Sequence, residues 1–510
     1  MNIRRIVNLA ITNFTGQGVS VISQLLVPPF FLHFYANGIE VYGEWIALSA
    51  SINYLGTLNY GIQTYANNEM TIQYNRGEVD KAKAVQANAV RLLLLLIGTI
   101  LAGGIAVLFL PIGKWLNLKH VGSHAASVTL YLLILQLAVA MLFSLMTNSY
   151  MMVGKLHRGN HWINGQRLGI VFAMSLAVWL HAPFPVLALT QVTTTVLFML
   201  AVFADIRIHD PILFPSMKHG AWREIGAIIK PSGHFGIIAL SGFLTWQGPV
   251  LLIQKILGPA AVGVFALVRV VFQMSRQILS VSSYAVSQDI TLLVGQRNWA
   301  QLRRLYDMSE RVVLFLIPLV SITSLLMCPF LFTVWLHKRA LYQPLLCILM
   351  AITSAVLGIK EHKTQFQSSS NEHETFAKFS LCGYSAMLLV SVFTLKAYGL
   401  TGFMVTWITW EIIQTAFVLH LNARLFPEDT NISMAPLRRL TVFMTIAFGL
   451  AIWPAYRGAQ WPLPVVVAVS FAFAVLLSIP AYFCFGLKDV RAILESRIRR
   501  RSVSNAQMSA

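Results

Sequence analysis

The chain alternates between long apolar stretches and short polar links from its first residues to Phe485. A helix needs about 20 mostly apolar residues to cross a bilayer, and about 14 stretches of that kind occur here. The pattern therefore predicts an all-α polytopic membrane protein with about 14 transmembrane helices. The predicted spans are Ile6–Phe34, Trp45–Ala66, Leu92–Leu110, Val128–Val153, Leu168–Leu180, Val186–Ala204, Ser232–Leu257, Val262–Asp289, Val312–Leu336, Leu345–Lys360, Phe379–Leu395, Thr401–Leu421, Leu440–Tyr456 and Val465–Phe485.

The links between the spans differ in charge from one side to the other. Most lysines and arginines fall in the two termini and in one alternating set of loops, which is the asymmetry that orients membrane proteins. It predicts a multi-pass protein of the cell (inner or plasma) membrane with both termini cytoplasmic. The basic residues in or near the opposite set of loops are Lys114, Lys119, Lys255, Lys338, Arg339, Lys396 and Arg457.

Composition agrees with this topology and excludes other classes. Only 11% of the 510 residues are charged, against about 25% in soluble domains. The net charge of +19 follows from the topology, so it does not indicate nucleic acid as a partner. Segments 76–91 and 297–311 are predicted to be amphipathic surface helices. The cysteines lie in apolar segments as small hydrophobic residues.

No sequence motif for chemistry accompanies the spans. The chain has no phosphate-binding Gly-x-x-x-x-Gly-Lys-Ser/Thr loop, no His-Glu-x-x-His and no Gly-x-Ser-x-Gly. No loop is long enough for a catalytic domain outside the membrane. The sequence therefore predicts no catalytic residues, no metal site and no cofactor, and it argues against an enzyme.

The chain also repeats itself at an offset of 220 residues. GIEVYGEWIAL from Gly38 aligns with GPAAVGVFALV from Gly258, so that Gly43 meets Gly263. Six spans intervene, an even number, so both copies keep the same orientation in the membrane. The alternative is that such glycine hairpins recur by chance in helical membrane proteins.

The repeat predicts four regions along the chain. Residues 1–230 would form an N-terminal six-helix lobe and residues 231–430 a C-terminal six-helix lobe. Residues 431–487 would supply two further transmembrane helices, and residues 488–510 a basic cytoplasmic tail. The two lobes would be pseudo-symmetric and would enclose a central cleft.

The predicted span Val262–Asp289 carries two arginines, Arg269 and Arg276, seven positions apart. Seven residues make about two helical turns, so both side chains share one face with Gln273. An arginine at membrane depth costs roughly 3 kcal/mol or more and usually faces a watery cavity. The stripe therefore predicts an anionic cargo, and the alternative is a purely structural ion pair.

Other predicted spans carry uncharged polar faces. The offset of 220 places Gln273 on Asn53 of the second span, the first span has Asn13 and Gln17, and the seventh has His234. Together with the arginine stripe these faces would line the cleft. The alternative is that polar side chains only join helices to one another.

Ionisable residues near the tenth and twelfth spans offer two further candidates. Glu411, in the middle of the twelfth span, is a candidate coupling residue that takes up a proton or cation. It could instead pair with an arginine or remain a buried neutral acid. Lys360 and Lys363 are candidates for a cytoplasmic entrance that attracts an anionic head group, or for lysines that snorkel to the membrane surface.

Three segments carry a resemblance to a known family. They are YGEWIALSASINYLGTLNYGIQTYANNEM from Tyr42, the following NRGEVDKAKA, and ILGPAAVGVFALVRVVFQM from Ile256. They resemble the polysaccharide transporter family, the O-antigen-type lipid-linked oligosaccharide flippases of the multidrug/oligosaccharidyl-lipid/polysaccharide exporter superfamily. With the number and order of spans, the similarity covers nearly the whole chain.

The resemblance implies a fold and a function. It implies two lobes like those of the multidrug and toxin extrusion proteins, and alternating access. It also implies flipping of a polyprenyl-diphosphate-linked oligosaccharide, with membrane lipids and glycan polymerases or glycosyltransferases as candidate partners. Two departures bear on coupling: Asn59 stands where members usually carry Asp, and Gly248-Pro249 where many carry Asp-Arg. Coupling would then fall to Glu411 or His234, while Asn59 stays a candidate cleft residue.

Three rival functions remain. A multidrug or lipid exporter of the same fold is the main alternative, and an acidic or aromatic cleft would favour it. A glycan polymerase or ligase would need a large outward loop. A structural membrane scaffold would not need Arg269 and Arg276.

Overall fold

The computed structural model describes residues 3–215, 240–370, 374–426 and 433–487, together with positions 226 and 237. The helices of these residues are numbered here in chain order. They are α1 Ile3–Phe34, α2 Gly38–Asn75, α3 Val79–Val107, α4 Ile112–Trp115, α5 Ser123–Ser149, α6 Leu156–Trp179, α7 Phe184–His209, α8 Gly248–Leu257, α9 Pro259–Ala285, α10 Ser287–Gly295, α11 Trp299–Val334, α12 Pro344–Ser369, α13 Glu374–Ala423, α14 Ala435–Gly458 and α15 Leu463–Cys484.

The predicted fold class is confirmed: the protein is an all-α polytopic membrane protein. The described residues form helices and connecting turns and contain no strand. Nine of the helices in those ranges are long and apolar enough to cross a membrane. Each predicted span coincides with a helix, except that the seventh is described mainly over its second half, where α8 ends at Leu257 as predicted.

Some helix boundaries differ from the prediction. The predicted surface helices 76–91 and 297–311 are not separate, because α3 and α11 each continue without a break into the following span. The eighth span is shorter than predicted, since α9 ends at Ala285 and Asp289 belongs to α10. Helix α11 begins after Asn298, whose side chain accepts the Gln301 N–H at 3.1 Å as a helix cap.

Helix α13 contains both the eleventh and the twelfth predicted spans. They are divided at Gly399, whose backbone has φ 59° and ψ −148°. That region of backbone space is essentially open only to glycine. Glycine at this position therefore allows the break between the two spans.

The chain divides into two compact units. The first comprises Met1–Leu267 with Leu381–Lys396, and the second Val268–Ser380 with Ala397–Ala510. In the first unit α5 packs against α2, α3, α6 and α7, and in the second α11 packs against α10, α12, α14 and α15. The division into lobes at residues 230 and 231 stays a prediction, and the predicted basic tail 488–510 lies outside the described residues.

The repeated hairpins meet within the first unit. A Cβ atom added at Gly43 would lie 1.9 Å from the carbonyl oxygen of Pro259, and one at Gly263 would lie 2.4 Å from that of Ile39. The offset of 220 relates Ile39 to Pro259 and Gly43 to Gly263, so the two contacts are equivalent. Two-fold related copies make reciprocal contacts of this kind. The glycines allow the two backbones to approach this closely.

A polar loop holds both hairpins at this contact. The buried carboxylate of Glu44 accepts the backbone N–H groups of Lys119 at 2.5 Å and His120 at 2.9 Å. On the second hairpin, Gln254 Nε2 donates to the carbonyl oxygen of Leu116 at 3.0 Å. The loop between α4 and α5 therefore joins the two copies of the repeat.

Candidate functional site

The predicted arginine face lies on α9. Arg269, Gln273 and Arg276 are all half-buried there, while Leu267 and Val271 on the opposite face are buried. Helical spacing places the three polar side chains along one face, as the sequence predicted. A side chain that is only half-buried can meet a ligand, so this face remains the candidate anion site.

Four consecutive residues of α12, Lys360 to Lys363, connect that helix to three others. Lys360 pairs with Glu411 of α13, and Glu361 pairs with Arg276 of α9. The other two residues both turn to α11, where His362 Nε2 lies 2.9 Å from Ser309 Oγ and Lys363 pairs with Glu310. Successive residues of a helix point about 100° apart, so a run of four reaches neighbours on every side.

The three ion pairs of this segment differ in burial. The side chains of Lys363 and Glu310 are 1% and 3% exposed, and those of Lys360 and Glu411 are 10% and 0% exposed. The side chains of Arg276 and Glu361 are 22% and 23% exposed. The first two pairs are therefore enclosed by protein, and the third is open to its surroundings.

The Lys363–Glu310 pair has polar and aromatic neighbours. The ammonium nitrogen of Lys363 lies 4.0 Å from the centre of the Tyr306 ring, a cation–π contact. Asn422 Nδ2 donates to the Lys363 carbonyl oxygen at 2.9 Å, and Gln367 donates to Asn422 at 2.7 Å. The opposite charge, the ring and these hydrogen bonds together offset the cost of burying the ammonium group.

Glu411, which the sequence placed in the middle of a span, is buried, and its environment was not foreseen. Trp407 Nε1 donates to the Glu411 carboxylate at 3.0 Å, and the Lys360 ammonium group pairs with it. A lysine was not among the partners considered for this acid. Lys360 and Lys363 are also both buried, so neither has the exposed ammonium group that snorkelling would give. Their role at an entrance stays a prediction.

The predicted polar residues of the first unit are placed in different ways. Gln17 of α1 and Asn53 of α2 are exposed. Asn59 is half-buried and accepts a hydrogen bond from Gln63 Nε2 at 2.9 Å. Gln63 also donates to the carbonyl oxygen of Met141 at 3.0 Å, so this group joins α2 to α5. The side chain of Asn13 and all of His234 lie outside the described residues.

Sequence reasoning missed two acids of the site. Glu361 lies between the two candidate lysines but was not a candidate itself, and Glu310 fell within the predicted surface helix 297–311. An acid within one helical turn of a membrane span was the signal that could have drawn attention to Glu310. Among the described residues, no group of three or more His, Cys, Asp or Glu side chains is arranged to hold a metal ion.

Solved structures of other proteins share the fold of this chain. No family model matches the sequence, and no curated protein matches it. The lipid II flippase MurJ in an inward closed conformation is a structural neighbour, with a TM-score of 0.69 and 10% sequence identity. The match covers 96% of this chain and all of that one.

Multidrug transporters are structural neighbours as well. An inward-facing multidrug resistance MATE family transporter of the MOP superfamily matches with a TM-score of 0.62 and 13% identity, over 82% of this chain and 98% of that one. The MATE multidrug transporter DinF-BH matches with a TM-score of 0.56 and 17% identity, over 82% and 95% of the two chains. The fold implied by the resemblance is therefore confirmed: this chain has the fold of the MATE transporters and of MurJ.

Proposed function

We propose that this chain is a membrane transporter that flips a polyprenyl-diphosphate-linked oligosaccharide from the cytoplasmic to the outer leaflet. The glycan would serve cell-surface polysaccharide biosynthesis of the O-antigen type. The transporter would work by alternating access and would catalyse no covalent step. Membrane lipids would surround it, and glycan polymerases or glycosyltransferases would supply or use its cargo.

The observation that carries this proposal is the accessible arginine Arg276 within a membrane-spanning helix. It shares a half-buried face with Arg269 and Gln273. A diphosphate carries about two negative charges, and a guanidinium group binds phosphate oxygens in a two-pronged fashion. The diphosphate of a lipid carrier is therefore a suitable ligand for this face.

The fold adds support of a general kind. A flippase for a lipid-linked molecule, MurJ, has the same fold over nearly the full length of this chain. The polar residues Gln17, Asn53 and Asn59 are proposed to contact the glycan, because sugar hydroxyl groups need hydrogen-bond donors and acceptors. Asn13 and His234 are proposed for the same surface from the sequence alone.

The alternative is a multidrug exporter, since MATE transporters share the fold. A cationic drug would favour acids that are open to the transport path. The acids of this site are instead each paired with a basic side chain: Glu310 and Glu411 are buried, and Glu361 is held by Arg276. That arrangement favours an anionic cargo over a cationic one.

The test is replacement of Arg276 in cells that depend on the protein for surface polysaccharide. Arg276→Ala should reduce flipping about ten- to a hundredfold, because a charge-assisted hydrogen bond contributes about 1.5–3 kcal/mol. Arg276→Lys should restore only part of the activity, since an ammonium group lacks the planar fork. Flipping is measured as surface polysaccharide and as transfer of the lipid-linked glycan in vesicles.

The matched control is Arg304→Ala, which removes an exposed arginine from the start of α11. It should leave flipping unchanged at an equal protein level. Normal flipping by Arg276→Ala, with normal insertion, would contradict the proposal. Export of a cationic dye that Arg276→Ala leaves intact or increases would favour the multidrug alternative.

A further inference from the structure

The three ion pairs of α12 differ in exposure, and exposure determines which of them an anion can reach. Only the Arg276–Glu361 pair is accessible, because the two lysine pairs are buried. An anion that binds the same side of Arg276 therefore competes with a carboxylate that is already in place. No such competition arises at Lys360 or Lys363, because protein encloses them.

The Arg276–Glu361 contact is also incomplete on the carboxylate side. Glu361 uses Oε1 to accept from Arg276 Nη1. Its other oxygen, Oε2, is buried and accepts no hydrogen bond from any residue that the structure describes. A two-pronged arginine–phosphate contact would use more of the guanidinium group than this single-oxygen contact does.

We propose that Glu361 is a resident competitor anion that occupies Arg276 until a diphosphate displaces it. Glu361 thereby determines the charge that a ligand must carry in order to bind. This inference rests on the proposed function of Arg276. It adds a specificity residue on the neighbouring helix that the sequence alone did not indicate.

Electrostatics explain why the competitor selects for charge. A ligand with one negative charge would only replace one carboxylate by another, so it gains little on displacing Glu361. A diphosphate brings about two charges and more oxygens to the same guanidinium group, so its attraction exceeds that of the carboxylate. Monoanions and neutral lipids are therefore excluded while the diphosphate is accepted.

The partial exposure of Glu361 allows its carboxylate to move when an anion displaces it. Glu361 is about a quarter exposed, so its side chain can turn towards the accessible side. The lysines beside it in sequence are held by Glu411 and Glu310, so they do not compete for it. The exchange needs a rotamer change at one residue and leaves both buried pairs intact.

The test measures binding of inorganic pyrophosphate and of acetate to the full-length protein purified in detergent. Glu361→Gln keeps the size of the side chain and removes its charge. It should tighten pyrophosphate binding about tenfold, the effect of removing one charge-assisted competitor, and should make acetate binding measurable. Arg276→Gln should abolish binding of pyrophosphate. Glu374→Gln, in an exposed pair with Lys378 at 2.6 Å, is the matched control and should change neither.

The outcomes separate this inference from the proposed function. Unchanged pyrophosphate binding by Arg276→Gln would contradict the proposed function itself. Loss of binding in Arg276→Gln together with parent-like binding of both anions in Glu361→Gln would overturn the competitor role alone. Should Glu361→Gln fail to fold, Glu361→Asp, whose carboxylate is one methylene shorter, should tighten pyrophosphate binding by part of that factor. Parent-like affinity of Glu361→Asp would then overturn the inference.

Discussion

The reciprocal glycine contact of the two hairpins makes a quantitative prediction for Gly43→Ala. The new Cβ atom would lie 1.9 Å from the carbonyl oxygen of Pro259 and 2.8 Å from its carbonyl carbon. An ordinary contact needs at least 3.4 Å. Both obstructing atoms belong to the backbone, so no side-chain rotation can relieve the clash, and the two helices must move apart.

Two terms of opposite sign determine the size of the effect. Alanine in place of glycine within a helix gains up to about 1 kcal/mol of helix propensity. Overpacking costs about 1–3 kcal/mol, and a backbone clash belongs at the upper end of that range. We therefore expect Gly43→Ala to lose about 2 kcal/mol of stability, the difference between these terms. Gly98→Ala, whose Cβ meets no atom within 4 Å in α3, should keep the favourable term alone.

The assay is heating of the detergent-purified protein, followed by measurement of the fraction that remains monodisperse, because such proteins unfold irreversibly. Gly43→Ala should lose half of its monodisperse fraction at a lower temperature than the parent, and Gly98→Ala at the same or a higher one. The double variant Gly43→Ala/Gly263→Ala should cost less than the sum of the single variants, because one separation of the helices relieves both clashes. A half-loss temperature for Gly43→Ala equal to that of Gly98→Ala would refute the reasoning.

Three further predictions concern the buried pairs and the topology. Glu310→Gln leaves the Lys363 ammonium group buried without its carboxylate and should cost about 3–5 kcal/mol, seen in the same heating assay; parent-like stability would contradict a buried ion pair. Glu411→Gln should weaken the dependence of transport on a pH gradient in reconstituted vesicles, and full rate with unchanged gradient dependence would remove Glu411 as the coupling residue. Cysteine placed at Lys119 should be labelled from outside the cell and cysteine at Arg76 only from inside, and reversed labelling would contradict the predicted orientation.

The positions of the helices could be predicted from the sequence. Hydropathy over a window of about 20 residues is a local property, and a bilayer leaves few alternatives to a helix for such a segment. The break at Gly399 also depends on a local property, the backbone freedom of glycine, whereas the contact between the hairpins of Gly43 and Gly263 joins residues distant in sequence. The helix boundaries could not be predicted from hydropathy, because α3 and α11 extend well beyond their apolar parts into polar sequence.

The sequence predicted the arginine face of the site but not the acid that pairs with it. Helical periodicity alone places Arg269 and Arg276 on one face, because both belong to the same helix. The acid that meets Arg276 is 85 residues away on another helix. Which acid that is depends on how α9 and α12 are rotated and displaced relative to each other, and neither quantity is encoded by local hydropathy.

The buried pairs show the same division between local and tertiary information. The sequence identified Lys360, Lys363 and Glu411 as unusual charges near or within membrane spans, because such charges are costly there. Only the tertiary structure decided that Lys360 meets Glu411 and that Lys363 meets Glu310, across 51 and 53 residues. A lone charge near a span fits equally well with an exposed entrance, a coupling site or a buried pair. Helix packing brings together partners that are distant in sequence, and it is this packing that distinguishes the three.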